Sequence, residues 1–254
     1  MRSLITFPCA GETLIGSLDM AAGATGLLIV SGGNEIRCGA HRGMALLAAA
    51  MTARGHPVFR YDRRGIGDSS GDNHGYLSAR GDLVAAAEAF RAAAPQLATI
   101  VAYGNCDAAS LLALHGREAG VDRLILANPW TIEDFDDLPP VAAIRATYRQ
   151  RLTSPRAWAR LLSGRIDLGK ALRGLHKAST APPQTLARRI VGAIENWGDA
   201  ATIILASADA TAQAFAAAAP HLPAHRIDTA SHSFARETDQ RQLQALVAGL
   251  LEDQ

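Results

Sequence analysis

The chain has little of the material that marks several large protein classes. Its three cysteines, Cys9, Cys38 and Cys106, stand in no metal-ligand spacing, so neither a disulfide framework nor a zinc site is suggested. No apolar run approaches the roughly 20 residues that a bilayer-spanning helix needs. The opening "MRSLITFPCAGETLIG" breaks its apolar pattern too early for a secretory signal, and a cytoplasmic protein is expected. Charge of one sign is also missing: the net charge is +1 and the arginines are scattered, which gives no basic stripe for nucleic acid and no acidic tail. Repeats and low-complexity linkers are absent too.

What the chain does have is an alternation of short Val/Ile/Leu runs with Ala-rich helical stretches. That order predicts an α/β fold, a mostly parallel sheet covered by helices. "SLITFPCAGETLIGSLDM" reads as a hairpin turning at Ala10 to Glu12, and "GLLIVSGG" as a buried strand ending in glycines. "AHRGMALLAAAMTAR" is an amphipathic helix closed by Gly55. "PVFRYDRRGIGDSSG" is a strand and a glycine-punctuated loop, and the helix "ARGDLVAAAEAFRAAA" stops at Pro95. "LATIVAYG" and "VDRLILANPW" are strands flanking the helix "DAASLLALHGREA". From Thr131 to about Gly198 the period changes, with two Pro pairs and Arg-rich helical fragments, so 131–198 is expected to be a helical cap inserted into a core of 1–130 and 199–254. The core resumes with the strand "ATIILASADA", the helix "TAQAFAAAA", the edge strand "HRIDTA" and the closing helix "RQLQALVAGLLED".

The stretch "VAYGNCDAAS" delivers a cysteine where a strand turns into a helix. A reactive residue on such a turn needs small neighbours two before and two after it, and Gly104 and Ala108 fill those places. A thiol there lies at a helix N-terminus, where free N–H groups favour the thiolate. Free cysteine is equally at home in a core, so Cys106 alone decides nothing.

The rest of the chain supplies partners in the order nucleophile, acid, histidine. Asp209 follows one late strand and His232 the next, so His232 would take the thiol proton and Asp209 would orient its imidazole. Asp134 or Glu133 is the alternative acid. The oxyanion hole is expected from the backbone N–H of Asp107 and a second N–H, of Gly33 or Asn34, in the loop after "LLIVSGG". In "YDRRGIGDSSG" the D-x-R-G-x-G-x-S pattern reads as structural, with Asp62, Arg64 and Ser69 locking the loop beside the turn. Serine hydrolysis through Ser110 or Ser69 fits poorly, because neither occupies the apex; Cys9 and Cys38 read as structural.

Together these segments resemble the α/β-hydrolase superfamily across nearly the whole chain. The more particular resemblance is to exosortase A system-associated hydrolase 1, a bacterial family encoded with exopolysaccharide and protein-sorting genes. It rests on "SGGNEIRCGAHRG" (31–43), "RYDRRGIGDSSG" (60–71) and "GNCDAAS" (104–110). Asn34-Glu35-Ile36 and Cys38 stand where that pattern has Pro-Gln-Tyr and Val. The resemblance implies an α/β-hydrolase fold and a hydrolase or acyl-transfer reaction on an ester, thioester or amide, with no cofactor. In the matching loop Arg37, His41 and Arg42 would bind an anionic substrate group or serve the helix start. Trp130, with Tyr148, Trp158, Leu161 and Leu162 of the cap, would cover an acyl chain. The reading from another class is a non-catalytic hydrolase fold acting as a binding or scaffold subunit, in which Cys106 is unreactive.

Overall fold

The computed structural model describes residues 2–133 and 185–252. Asp134, Tyr148, Trp158, Leu161 and Leu162 lie outside them. The strands are β1 (Arg2–Cys9), β2 (Glu12–Asp19), β3 (Thr25–Val30), β4 (Val58–Tyr61), β5 (Thr99–Asn105), β6 (Arg123–Ala127), β7 (Ala201–Ala206) and β8 (His225–Ile227). They form one sheet in the order β1-β2-β4-β3-β5-β6-β7-β8. The pairs from β4 to β8 are parallel, while β2 is antiparallel to both its neighbours. The hairpin, the mostly parallel sheet and the edge position of β8 all follow the expectation.

The described helices are α1 (Gly43–Ala53), α2 (Arg80–Ala93), α3 (Asp107–His115), α4 (Thr185–Glu195), α5 (Ala210–Ala218) and α6 (Glu237–Glu252). Each central strand is buried on both faces, which is why it reads as a continuous apolar run rather than an alternating one. Leu28, Val30, Ala102 and Leu126 face one core with α2, α3, α4 and α5; Leu27, Ile29, Tyr103 and Ile125 face a second core with α1 and α6. Three layers result, helices on a sheet on helices.

Helical spacing decides which face each helix buries. In α2, Leu83, Ala86, Ala87 and Phe90 recur at i, i+3, i+4 and i+7 and are all fully buried. Phe90 stacks on Phe59 with ring centroids 5.6 Å apart, so Phe90→Ala would cost about 3–5 kcal/mol. In α4, Ala187, Ile190, Val191 and Ile194 repeat the pattern, and Ile190, Val191 and Ile194 enter the first core with Trp197 beside α3. Within residues 185–198, which the sequence reading places in the insertion, α4 lies beside α3 and α5 in the helix layer.

Candidate active site

Cys106, Asp209 and His232 each lie just past the C-terminal end of a parallel strand, the crevice where open α/β sheets place their ligands. β5 ends at Asn105 and α3 begins at Asp107, leaving Cys106 between them at φ 62° and ψ −126°. A non-glycine residue in that conformation is strained by about 1–3 kcal/mol and persists only where its surroundings fix it. Here the Cys106 N–H donates to the Ala127 carbonyl at 3.0 Å, and the Cys106 carbonyl accepts from the Ala109 and Trp130 N–H groups at 3.1 and 3.2 Å. Two glycines let neighbouring backbone close on the turn. A Cβ at Gly104 would stand 2.8 Å from the Ala108 carbonyl carbon, and one at Gly32 would stand 2.6 Å from the Asn105 oxygen.

His232 and Asp209 meet beside this turn. The His232 Nδ1 is 3.1 Å from Asp209 Oδ2, and the same oxygen accepts the Ala212 N–H at 2.9 Å as the N-cap of α5. One carboxylate thus starts a helix and orients a ring. Burial alone would disfavour its charge, but hydrogen bonds from His232 and the Ala212 N–H, with the His232 charge, hold the Asp209 pKa below its usual value. The His232 pKa is pushed up to about 10, chiefly by the hydrogen bond to Asp209 and then by one to Cys106, against a smaller opposing effect of burial. With Nδ1 turned to Asp209, Nε2 is the nitrogen left for the thiol.

The histidine loop is fastened from beneath by two amides that sequence reading missed. Asn105 and Asn128 each donate Nδ2 to the His232 carbonyl at 3.1 Å, and Asn128 Nδ2 also reaches Asn105 Oδ1 at 3.0 Å. Asn128 Oδ1 accepts the Ala206 N–H at 2.8 Å, so β6, β7 and the histidine loop share one fully buried side chain. Its one sequence signal was a polar residue ending an apolar strand.

On the other side, the loop after β4 is locked as expected. Ser69 Oγ donates to the Asp62 carbonyl at 2.7 Å and accepts the Ile15 N–H at 2.9 Å, and Arg64 Nε pairs with Asp82 at 2.5 Å. Arg37 belongs to the same lock. Its guanidinium is engaged by buried Asp62, by Asp68 at 2.8 Å and by Ser17 Oγ at 3.0 Å, which accounts for its charge within the protein. Those carboxylates raise its pKa despite the larger opposing effect of burial. His41 and Arg42 are exposed at the start of α1, both at positive φ.

The Gly33 N–H, one of the two expected oxyanion donors, is already taken: it donates to Asp107 Oδ1 at 2.7 Å. The Tyr76 hydroxyl is buried with no hydrogen-bond partner among the described residues, and burial followed by the charge of nearby Asp107 raises its pKa. Glu133 accepts the Leu186 N–H at the start of α4, and Trp130 is bound through its backbone to Cys106 and to Ser110 Oγ. A small cleft opens between α1 and α6 among Glu35, Met44, Leu47, Tyr103 and Gln244; it meets the site through Asn105 and Ser233. Among the described residues no three His, Cys, Asp or Glu side chains group as metal ligands, and no helix is long and apolar enough to cross a membrane.

The strand order, the cysteine-bearing turn and the two late loops define an α/β-hydrolase fold. No protein-family model matches the chain, and no curated protein matches it. Solved structures do. An α/β serine hydrolase without a lid from Xanthomonas campestris is 18% identical over 98% of this chain and 92% of its own, with a TM-score of 0.59. The esterase Pf2001 of Pyrococcus furiosus is 14% identical over 100% and 91%, with a TM-score of 0.65. A thioesterase domain from the curacin biosynthetic pathway is 13% identical over 99% of both chains, with a TM-score of 0.59.

Proposed function

We propose that the protein is an acyl-group hydrolase or transferase that cleaves an ester, thioester or amide through a covalent thioester on Cys106. The observation that carries this reading is the 3.1 Å pair of His232 Nδ1 and Asp209 Oδ2 beside a cysteine held at φ 62° on a strand-to-helix turn. Burial, hydrogen bonds and a strained backbone converge there on groups suited to nucleophile, base and orienting acid. The serine hydrolase, esterase and thioesterase among the structural neighbours support the reaction class. A cysteine at the apex distinguishes this chain from the serine hydrolase.

In the proposed sequence His232 Nε2 holds the Cys106 proton while the sulfur attacks the carbonyl carbon. The oxygen becomes an anion facing the Asp107 N–H and a second N–H from the loop 32–34. Collapse breaks the bond to the leaving alcohol, thiol or amine, which takes the proton from His232, and leaves an acyl thioester. Water then gives its proton to His232, attacks the thioester, and the departing sulfur recovers that proton as the free acid leaves. An acceptor alcohol or amine in place of water would make the same site a transferase. Asp209 keeps Nδ1–H pointed at itself and stabilises the imidazolium. A role in exopolysaccharide or protein-sorting chemistry is the finer proposal and rests on the three motif stretches of residues 31–43, 60–71 and 104–110.

The test is to incubate wild type and Cys106→Ala with a panel of acyl thioesters and activated esters, following product release and intact mass. Wild type is expected to turn over at least one donor and to carry the acyl group on the peptide containing Cys106, with both signals lost in the variant. Turnover retained in Cys106→Ala would rule out the cysteine mechanism.

A further inference from the structure

The loop that faces Cys106 is a tight turn with one peptide held in an unusual way. The Glu35 N–H donates to the Gly32 carbonyl at 3.0 Å, so Gly32 to Glu35 form a β-turn with Gly33 and Asn34 at its centre, and Gly33 has φ 55°. The central peptide of a β-turn stands across the turn plane and can face either way at little cost to the flanking residues. Whether its N–H or its C=O faces the reacting carbonyl depends on what holds it.

Two side chains hold the peptides on either side of Gly33. Asp107 Oδ1 takes the Gly33 N–H at 2.7 Å, and Arg63 donates Nη2 to the Gly33 carbonyl. The same Nη2 lies 3.8 Å from Asp107 Oδ2, so the arginine and the carboxylate form a clamp around Gly33. Arg63 is 3% exposed, and its Nε and Nη1 have no partner among the described residues. A guanidinium buried with most of its donors idle is costly and is not explained by general packing. Arg63 occupies the unspecified second position of the D-x-R-G-x-G-x-S loop, whereas Asp62, Arg64 and Ser69 already serve the lock.

In a trans peptide the C=O of one residue and the N–H of the next point in opposite directions. With the Gly33 carbonyl drawn to buried Arg63, the Asn34 N–H is turned away from it, and among the described residues it donates to nothing. We propose that Arg63, holding the Gly33–Asn34 peptide by its carbonyl, and the Asp107 side chain, occupying the N–H of the peptide before it, are positioning residues that make the Asn34 N–H, and not the Gly33 N–H, the second oxyanion donor. This rests on the acyl-enzyme reading above and deepens it. Asp107 then acts twice, its backbone N–H on the substrate oxygen and its carboxylate on the opposing loop.

Two reactions of one thiol separate this role from general stability. Alkylation of Cys106 by iodoacetamide displaces iodide and forms no oxyanion, whereas acylation by a p-nitrophenyl ester passes through one. Arg63→Gln and Asp107→Ala are expected to slow acylation by on the order of 10–100-fold while alkylation stays within about 2-fold. Asp107→Asn, whose amide oxygen still accepts from Gly33, should recover part of the loss. Equal slowing of both reactions would mean a merely structural role and would overturn the proposal. So would unchanged acylation in Arg63→Gln. Faster acylation in Asp107→Ala would show that the carboxylate covers a Gly33 donor, which is the opposite assignment. A wild type that alkylates at Cys106 but is acylated by no ester would remove the acyl-enzyme reading itself, and this assignment with it.

Discussion

On the β3–β4 side of Cys106 the loops are tied by ions, Arg37 with Asp62 and Asp68, Arg63 with Asp107, and Arg64 with Asp82. On the β6–β8 side the groups nearest His232 are amides and hydroxyls, Asn105 and Asn128 on its carbonyl with Thr229 and Ser231 bracing the loop, and the buried Asp239 carboxylate stands behind them on the Thr229 hydroxyl. The difference follows from what each side has to hold. In the proposed mechanism Asp209 and His232 keep their own charges, and amide supports on the His232 carbonyl do not compete with that pair. The loop proposed to hold the oxyanion would do so through backbone N–H groups, so charged side chains can set its shape without taking part in proton transfer. The ion pairs of Arg37, Arg63 and Arg64 thus lie across Cys106 from the Asp209–His232 pair.

The most damaging way to break this division is to neutralise the reagent charge alone. Asp209→Asn still caps α5, since an asparagine oxygen accepts the Ala212 N–H, but it no longer stabilises the imidazolium. Steady-state kinetics should show kcat falling by about 10³–10⁴-fold with an unchanged circular dichroism spectrum. A normal rate would turn attention to Glu133 or Asp134 as the acid.

A smaller effect, on stability rather than rate, is expected from the structural ions. Asp62 is fully buried and accepts from the Arg37 N–H at 2.6 Å and the Asp68 N–H at 3.1 Å, so Asp62→Asn should lower unfolding stability in urea by about 3–5 kcal/mol. The same arginine's other partner sharpens the point. Asp68 has a side chain 68% exposed, and Asp68→Asn should cost less than about 1 kcal/mol in the same titration. Equal costs would mean that burial does not govern this lock.

The gentlest probe is pH. The folded His232 pKa is raised from 6.5 to about 10, so its contribution to stability is complete below about 6.5 and is lost as pH rises toward 10. Asp209, held below its usual value, contributes above about 3.8 and fails as pH falls further. The gap in Tm between wild type and His232→Gln should therefore narrow from pH 6 to pH 10. A gap that widened over that range would contradict a histidine stabilised in its charged form.

Much of this site was legible in the chain. Cys106 between Gly104 and Ala108, Asp209 past β7 and His232 past β8 stand where local pattern and element order put them. Each follows its own strand within a few residues, so position along the sequence fixes position at the sheet edge. The supports were harder to read. Asn128 resembles any polar strand end, and Arg63 looks like one of two adjacent arginines.

The sequence by itself determined the layers, the mostly parallel sheet and the three loops that converge on Cys106, because apolar spacing and small residues at the turn are properties of neighbours in the chain. Tertiary structure decided how those loops are held: that Arg37 is bound within a lock, that Asn128 carries the His232 carbonyl, and that Gly33 gives its N–H to Asp107. These bonds join residues 25, 104 and 74 positions apart. Which donor meets which acceptor at such separations is set only when the strand ends come together, since buried polar groups take whatever partner the assembled backbone brings within reach.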